Sequence, residues 1–223
     1  MTRVRTKLGR DTAWNRFLYH VGRTLVSGSL RLWTRGRVEG AEHLPPGAFV
    51  LAPVHRSYLD TPISSWVQRR RLRYLGKDSM WKYGPLGRLF SAMGAIPITR
   101  GSIDREAMQR CIEVLRSGQP LVIFPEGERK EGPVVHPLLE GAAFVAAKAG
   151  VPIVPVGIGG SDAAMPKGAR LVRPARVQVI VGEPFEVETD ERGRARREQL
   201  GRATERLHAD LQRLYDEARA RVD

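Results

Sequence analysis

Cysteine is nearly missing from this chain. Cys111 stands alone among 223 residues, which excludes an intrachain disulfide and fits a reducing compartment. Uncharged apolar runs are short, and none reaches the ~18–20 residues of a transmembrane helix. The basic N-terminus lacks an apolar stretch followed by a small-residue cleavage site, so no signal peptide is expected. A G-x-S-x-G nucleophile elbow is absent, which argues against a serine hydrolase. No group of His, Cys, Asp and Glu has metal-ligand spacing, so no metal is expected. Acidic residues are in deficit, 24 against 37 basic ones, for a net charge of +13. A surplus of that size implies an anionic partner: nucleic acid, phospholipid headgroups or phosphorylated metabolites. The few aromatics are not interleaved with the basic runs and no nucleic-acid-binding motif occurs, so nucleic acid is not expected.

What remains is long enough for one large α/β domain with a proper core. Residues 12–33 read as a helix with Trp14, Phe17, Leu18, Val21, Leu25 and Leu32 at helical spacing and Arg16, Arg23 and Arg31 among them. Such a helix either packs on the domain or lies on a membrane surface, arginines on headgroup phosphates. Strands are expected at 37–40, 48–53, 73–76, 94–98, 121–124, 151–158 and 176–181. Helices are expected at 61–69, through the stretch interrupted by Gly84-Pro85, and at 103–117, 138–149 and 191–222. Cys111 falls on the apolar stripe of the 103–117 helix and reads as a core residue. The stripe Leu200, Ala203, Leu207, Leu211, Leu214 and Ala218 needs a surface to cover, and docking on the domain is favoured over a coiled coil. Alternating strands and helices argue a mixed, mostly parallel sheet flanked by helices in a single α/β domain. A basic segment and helix (1–36), an α/β core (37–190) and a C-terminal helix (191–223) divide the chain.

Residues His55-Arg56-Ser57-Tyr58-Leu59-Asp60 organise the functional reading. Five positions on a helix turn about 500°, so His55 and Asp60 would not share a helical face. The spacing works when His55 sits on the turn after a strand and Asp60 in the first turn of the next helix. There the carboxylate accepts from one imidazole nitrogen and leaves the other free to take a proton. Parallel sheets collect their sites at the strands' carboxyl ends. His55, Arg100 and the run after Phe124 all fall at such ends. Phe124-Pro125-Glu126-Gly127-Glu128-Arg129 places a carboxylate, a glycine and a guanidinium just past a buried strand. Glycine permits close backbone approach, and arginine suits bidentate phosphate binding.

Together these pieces resemble the glycerolipid acyltransferases of the lysophosphatidic acid acyltransferase family, in four blocks taken in the family's order. His55–Asp60 resembles its H-x4-D signature. Gly94-Ala95-Ile96-Pro97-Ile98-Thr99-Arg100 resembles the strand that ends in a phosphate-binding arginine. Phe124-Pro125-Glu126-Gly127 resembles its F-P-E-G block, and Val151-Pro152-Ile153-Val154-Pro155-Val156 its apolar fourth. Two departures stand out: Glu128 and Lys130 where the family often carries hydroxyls, and Glu140 where a basic residue is common.

The resemblance implies a glycerol-3-phosphate acyltransferase-like fold and acyl transfer from a thioester, acyl-CoA or acyl-carrier protein, to the hydroxyl of a lysophosphatidic acid. Glycerol-3-phosphate or another lysophospholipid is the alternative acceptor. His55 is then the base and Asp60 its orienter, without an acyl-enzyme. Arg100, Glu126 and Gly127 bind the acceptor, with Lys77 and Arg129 as helpers. Backbone N–H groups near Gly127, or at the helix start after His55, are candidate oxyanion donors. No cofactor beyond the acyl donor is implied. The site is expected beside an apolar acyl channel lined from 79–93 or the N-terminal helix. The enzyme would work peripherally on an anionic membrane, at the inner face of the cell membrane. A membrane-binding module and a thioesterase are the competing readings.

Overall fold

The computed structural model describes residues 12–98, 104–190 and 194–222. The chain opens with α1 (Ala13–Gly22), capped by the Thr12 side chain, which accepts from the Asn15 N–H. It runs through a π-helical segment (Arg23–Gly28) into α2 (Ser29–Trp33). Strand β1 (Arg37–Glu39) follows, then β2 (Val50–Pro53), α3 (Asp60–Ser64), β3 (Arg73–Lys77), α4 (Gly84–Ala92) and β4 (Ala95–Ile98). After α5 (Arg105–Arg116) come β5 (Leu121–Val122), α6 (Gly141–Ala149), β6 (Ile153–Gly159), the short α7 (Ser161–Ala164), β7 (Gln178–Val181) and α8 (Arg197–Ala220).

The seven strands form one sheet in the order β1-β7-β6-β2-β5-β3-β4. From β6 to β4 every pairing is parallel, whereas β7 runs antiparallel to β6 and parallel to β1. The parallel strands are short, and β2, β5 and β6 are buried along their whole length. That burial on both faces is why they read as continuous apolar runs rather than alternating ones. Connections β2–β3 and β3–β4 step one way along the sheet, whereas β4–β5 and β5–β6 step back. Right-handed crossovers therefore put α3 and α4 on one face and α5 and α6 on the other. The chain reverses at β2 and β5, and a ligand crevice is expected at their carboxyl ends.

Packing agrees with this. Helices α5 and α6 pack together, and α6 meets α8, which lies along β6 and β7. The α8 stripe Ala203, Leu207, Leu211, Leu214, Tyr215 and Ala218 is buried, so the C-terminal helix belongs to the domain's own core. Contact is close because β6 offers bare backbone: a Cβ at Gly157 or Gly159 would collide with the Leu214 or Ala218 carbonyl. On the other face, the N-terminal helix is pinned by hydrogen bonds to residues 65, 66 and 72. Tyr19 accepts from the Leu72 N–H at 3.2 Å, Arg23 donates to the Ser65 carbonyl at 3.1 Å, and Trp66 donates to the Ser27 carbonyl at 2.9 Å.

Three expected helices are shorter in the structure, the C-terminal one spanning Arg197–Ala220 rather than 191–222. The segment after Asp60 stops at Ser64, where Ser64 and Ser65 turn their hydroxyls back onto the Asp60 and Pro62 carbonyls. Such local side-chain bonds compete with helix propagation. The helix expected from 138 starts at Gly141, because the Leu139 N–H is drawn to the Pro125 carbonyl at 2.8 Å.

Candidate active site

His55 emerges from β2 and Asp60 opens α3, as the spacing requires. The imidazole Nδ1 lies 3.0 Å from Asp60 Oδ2. That same oxygen accepts the backbone N–H groups of Arg56 at 2.6 Å and Ser57 at 2.7 Å. Asp60 is wholly buried and its carboxylate only accepts, so Nδ1 carries the ring proton and Nε2 presents its lone pair. Asp60 Oδ1 has no hydrogen-bond partner among the described residues. The imidazole stacks on Phe124, centroids 4.0 Å apart and planes 21° from parallel, which fixes its second degree of freedom.

The ring borders a cavity of about 570 Å³. Leu75, Ile98, Met108, Ile123, Leu139 and Ala142 supply its apolar wall, and Glu128, Lys130 and His136 stand among its polar lining. The size falls within the range of small-molecule sites. The wall comes from β3, β4, α5, α6 and the loop after β5. The sequence-based expectation of a channel lined from 79–93 or the N-terminal helix is corrected accordingly: α5 and α6, packed together, enclose the space beside His55 first.

Glu126 was expected to hold substrate. Its side chain is fully buried, and both oxygens are engaged from within the protein. Oε2 accepts the His55 N–H at 3.1 Å and the Arg56 guanidinium at 2.7 Å, and Oε1 accepts the His136 N–H at 3.0 Å. Gly127 adopts φ +76, a left-handed conformation, and its missing Cβ leaves room for Leu139. Several of the expected oxyanion donors are also engaged. Gly127 N–H bonds to the Phe124 carbonyl, Arg56 and Ser57 N–H to Asp60, and Lys130 N–H to the His55 carbonyl. These short loops satisfy their own backbone, which a sequence cannot reveal.

Arg129 lies over Tyr58, its guanidinium carbon 3.3 Å from the ring centroid. Lys77 is exposed at the carboxyl end of β3, outside the cavity lining. Arg100 lies outside the described residues. Of the seven site residues expected, the structure thus brings His55, Asp60, Glu126, Gly127 and Arg129 together, and leaves Lys77 at the same sheet edge but outside the cavity lining. The departures have a local account in part: Glu128 and Lys130 pair at 2.8 Å. Sequence reasoning missed Arg56, whose only signal was its place beside His55. It is buried, and its guanidinium also donates to the His55, Gly132 and Val134 carbonyls at 3.1, 3.2 and 3.1 Å.

An imidazole held by a buried carboxylate beside an apolar cavity, at the carboxyl edge of a parallel sheet, defines an α/β enzyme built for a partly apolar substrate. A sequence model of the acyltransferase family matches residues 35–159, over half of the chain, and the chain belongs to that family. A chloroplastic 1-acyl-sn-glycerol-3-phosphate acyltransferase of Brassica napus is 28% identical over 184 residues, 78% of this chain and 52% of its own length. An enzyme of that name from Chlamydomonas reinhardtii is 33% identical over 64% of this chain and 44% of its own. The one from Bacillus subtilis is 26% identical over 80% and 87%. This chain thus spans about half the length of the plant and algal relatives and most of the bacterial one. The crystal structure of the 1-acyl-sn-glycerophosphate acyltransferase of Thermotoga maritima superposes with a TM-score of 0.73, at 22% identity, over 93% of this chain and 83% of that one. That likeness shows the fold.

Proposed function

We propose that the protein moves a fatty acyl chain from a thioester, acyl-CoA or acyl-carrier protein, to the free hydroxyl of lysophosphatidic acid. The observation that carries the reading is the His55–Asp60 pair at the rim of the apolar cavity. His55 Nε2 takes the proton of the acceptor hydroxyl as its oxygen attacks the thioester carbonyl. The tetrahedral intermediate collapses with cleavage of the C–S bond, and the thiolate leaves, collecting the proton from Nε2. Oxygen forms one bond to the acyl carbon and sulfur loses one, so no acyl-enzyme is required. The imidazolium that forms midway faces Asp60, whose buried charge stabilises it. Each acyl methylene withdrawn from water into the cavity contributes about 0.8 kcal/mol to binding.

Arg129 serves the acceptor phosphate, and Arg100 is assigned to the same task by its motif. The protein works at an anionic membrane surface. Trp14, Phe17, Val21, Leu25 and Leu32, spaced by three, four, four and seven, are exposed on the N-terminal helix, Leu32 to 83%. An apolar stripe turned outward beside arginines fits a helix lying in the headgroup region. No helix among the described residues is long and apolar enough to cross a membrane.

The test is thiol release from palmitoyl-CoA with lysophosphatidic acid, glycerol-3-phosphate, lysophosphatidylglycerol or no acceptor, with His55→Ala as control. Release that requires lysophosphatidic acid and is lost in the variant is the expected result. Equal release without acceptor would replace the reading with a thioesterase.

A further inference from the structure

The final helix reaches the catalytic histidine through a chain of hydrogen bonds that lies partly outside the family-matched region. Residues 208, 212 and 215 follow one another by four and three, so they share one face of α8. All three grip the segment 132–136. His208 Nε2 meets the Val135 carbonyl at 2.9 Å, and Gln212 accepts the Val135 N–H at 2.7 Å and donates to the Pro133 carbonyl at 3.1 Å. The Tyr215 hydroxyl donates to the Gly132 carbonyl at 3.3 Å. From its inner side the same segment holds the loop of His55. Arg56 donates to Gly132 and Val134, the His136 N–H donates to Glu126, and Glu126 and Arg56 together clamp the His55 backbone at both its N–H and its carbonyl. The Arg56 guanidinium also sits over the Tyr215 ring, 4.8 Å from its centroid.

We propose that His208, Gln212 and Tyr215 are positioning residues, which set the location of the His55 imidazole through the 132–136 segment and the buried Arg56–Glu126 pair. The proposal rests on His55 as the base of the acyl transfer. Three features support a positioning role rather than a general structural one. The contacts converge on main-chain atoms of one short segment. The ion pair is buried at both partners, and such a pair holds a fixed geometry because neither charge can find another partner there. Every guanidinium nitrogen of Arg56 is engaged, so a shift of the segment must move the His55 carbonyl or break a bond.

The experiment uses the full chain. Gln212→Ala is compared with Leu200→Ala, which trims the packing of the same helix away from the segment. Both are assayed well below their melting temperatures. Gln212→Ala is expected to lower kcat roughly 10- to 100-fold while either substrate's KM stays within about twofold, the size of effect a small misplacement of the base produces. Leu200→Ala is expected to lower stability and leave kcat alone. Gln212→Glu keeps the acceptor for the Val135 N–H and is expected to recover part of the loss. Tyr215→Phe, which removes one hydroxyl, is expected to act in the same direction more weakly. An unchanged kcat, or a loss confined to KM, would overturn the proposal.

A second readout needs no substrate. Imidazole ¹⁵N–¹H spectra, with the His55 signals assigned from His55→Gln, are expected to shift in Gln212→Ala and not in Leu200→Ala. Unshifted His55 signals would overturn the relay, even if the wild-type protein releases no thiol and it is the acyltransferase reading that fails.

Discussion

Arg129 and Tyr58 approach the site from two different loops, and the guanidinium sits over the ring, its carbon 3.3 Å from the centroid. Tyr58 lies three residues after His55 and is 62% exposed, and Arg129 precedes Lys130, whose N–H bonds to the His55 carbonyl. The aromatic face supports the cation and leaves its N–H edge for an anion. Arg129→Ala is expected to raise the acceptor's KM roughly tenfold with little change for the acyl donor, since hydrogen bonds to charged groups are worth about 1.5–3 kcal/mol. Tyr58→Ala should raise it severalfold, and Tyr58→Phe should not. Equal effects on both substrates in steady-state kinetics would remove Arg129 from acceptor binding.

Asp60 presents one oxygen to three donors, so its loss disturbs both the ring and the loop. Asp60→Asn is expected to lower kcat by roughly 10²–10⁴, because an amide can donate and so admits the wrong imidazole tautomer. His55→Ala should abolish turnover with an unaltered circular dichroism spectrum. Ordinary activity in His55→Ala would end the general-base mechanism.

The cavity makes a length prediction. Ala142 is buried in α6 and lines the space beside His55. Ala142→Phe should exclude two or three methylenes, about 2 kcal/mol of apolar burial. Kcat/KM for palmitoyl-CoA should fall roughly 10- to 100-fold relative to octanoyl-CoA. A uniform loss for both chain lengths would place the acyl group elsewhere.

The N-terminal helix is pinned through Tyr19, Arg23 and Ser27 and exposes Trp14, Phe17 and Leu25. Replacing these three by Ser should cost vesicle sedimentation at least tenfold in affinity, given about 1.5–3 kcal/mol for each fully buried apolar side chain. Added salt should weaken wild-type binding to anionic vesicles, because the arginines are screened. Unchanged binding in the triple variant would assign the surface contact to another face.

Cys111 is the sole thiol, and burial pushes it from about 9 up to about 12. Between those values the unfolded chain loses a proton that the folded chain keeps, so stability falls as pH rises above about 9. Folded protein at pH 8 should therefore ignore dithionitrobenzoate, with one thiol appearing on denaturation. Rapid labelling of native protein would contradict the buried placement.

Local chemistry was the legible part of this molecule. His55 and Asp60 could be placed on a turn and a helix start because a polar pair follows an uninterrupted apolar run and five residues cannot share a helical face. The strands of the parallel core announced themselves by burial on both faces. What the sequence hid was long-range. The antiparallel direction of β7 leaves no trace in a period-two pattern. Glu126 read as a ligand because a carboxylate after a strand looks available; its three donors come from residues 55, 56 and 136. Arg56 read as one more basic residue, though its partners include segments more than seventy positions away. The helix after Asp60 was expected too long because serine hydroxyls ended it.

Gly157 and Gly159, the bare stretch of β6 on which α8 rests, impose an order on the life of each molecule. The strand is translated well before the helix that covers it. Until α8 has been made, the growing chain carries an open apolar groove where its own backbone will later sit, a natural target for chaperones that shield nascent chains. The grip on the 132–136 segment arrives with that same helix. A polypeptide still short of α8 would therefore lack the support that His208, Gln212 and Tyr215 give the loop of His55.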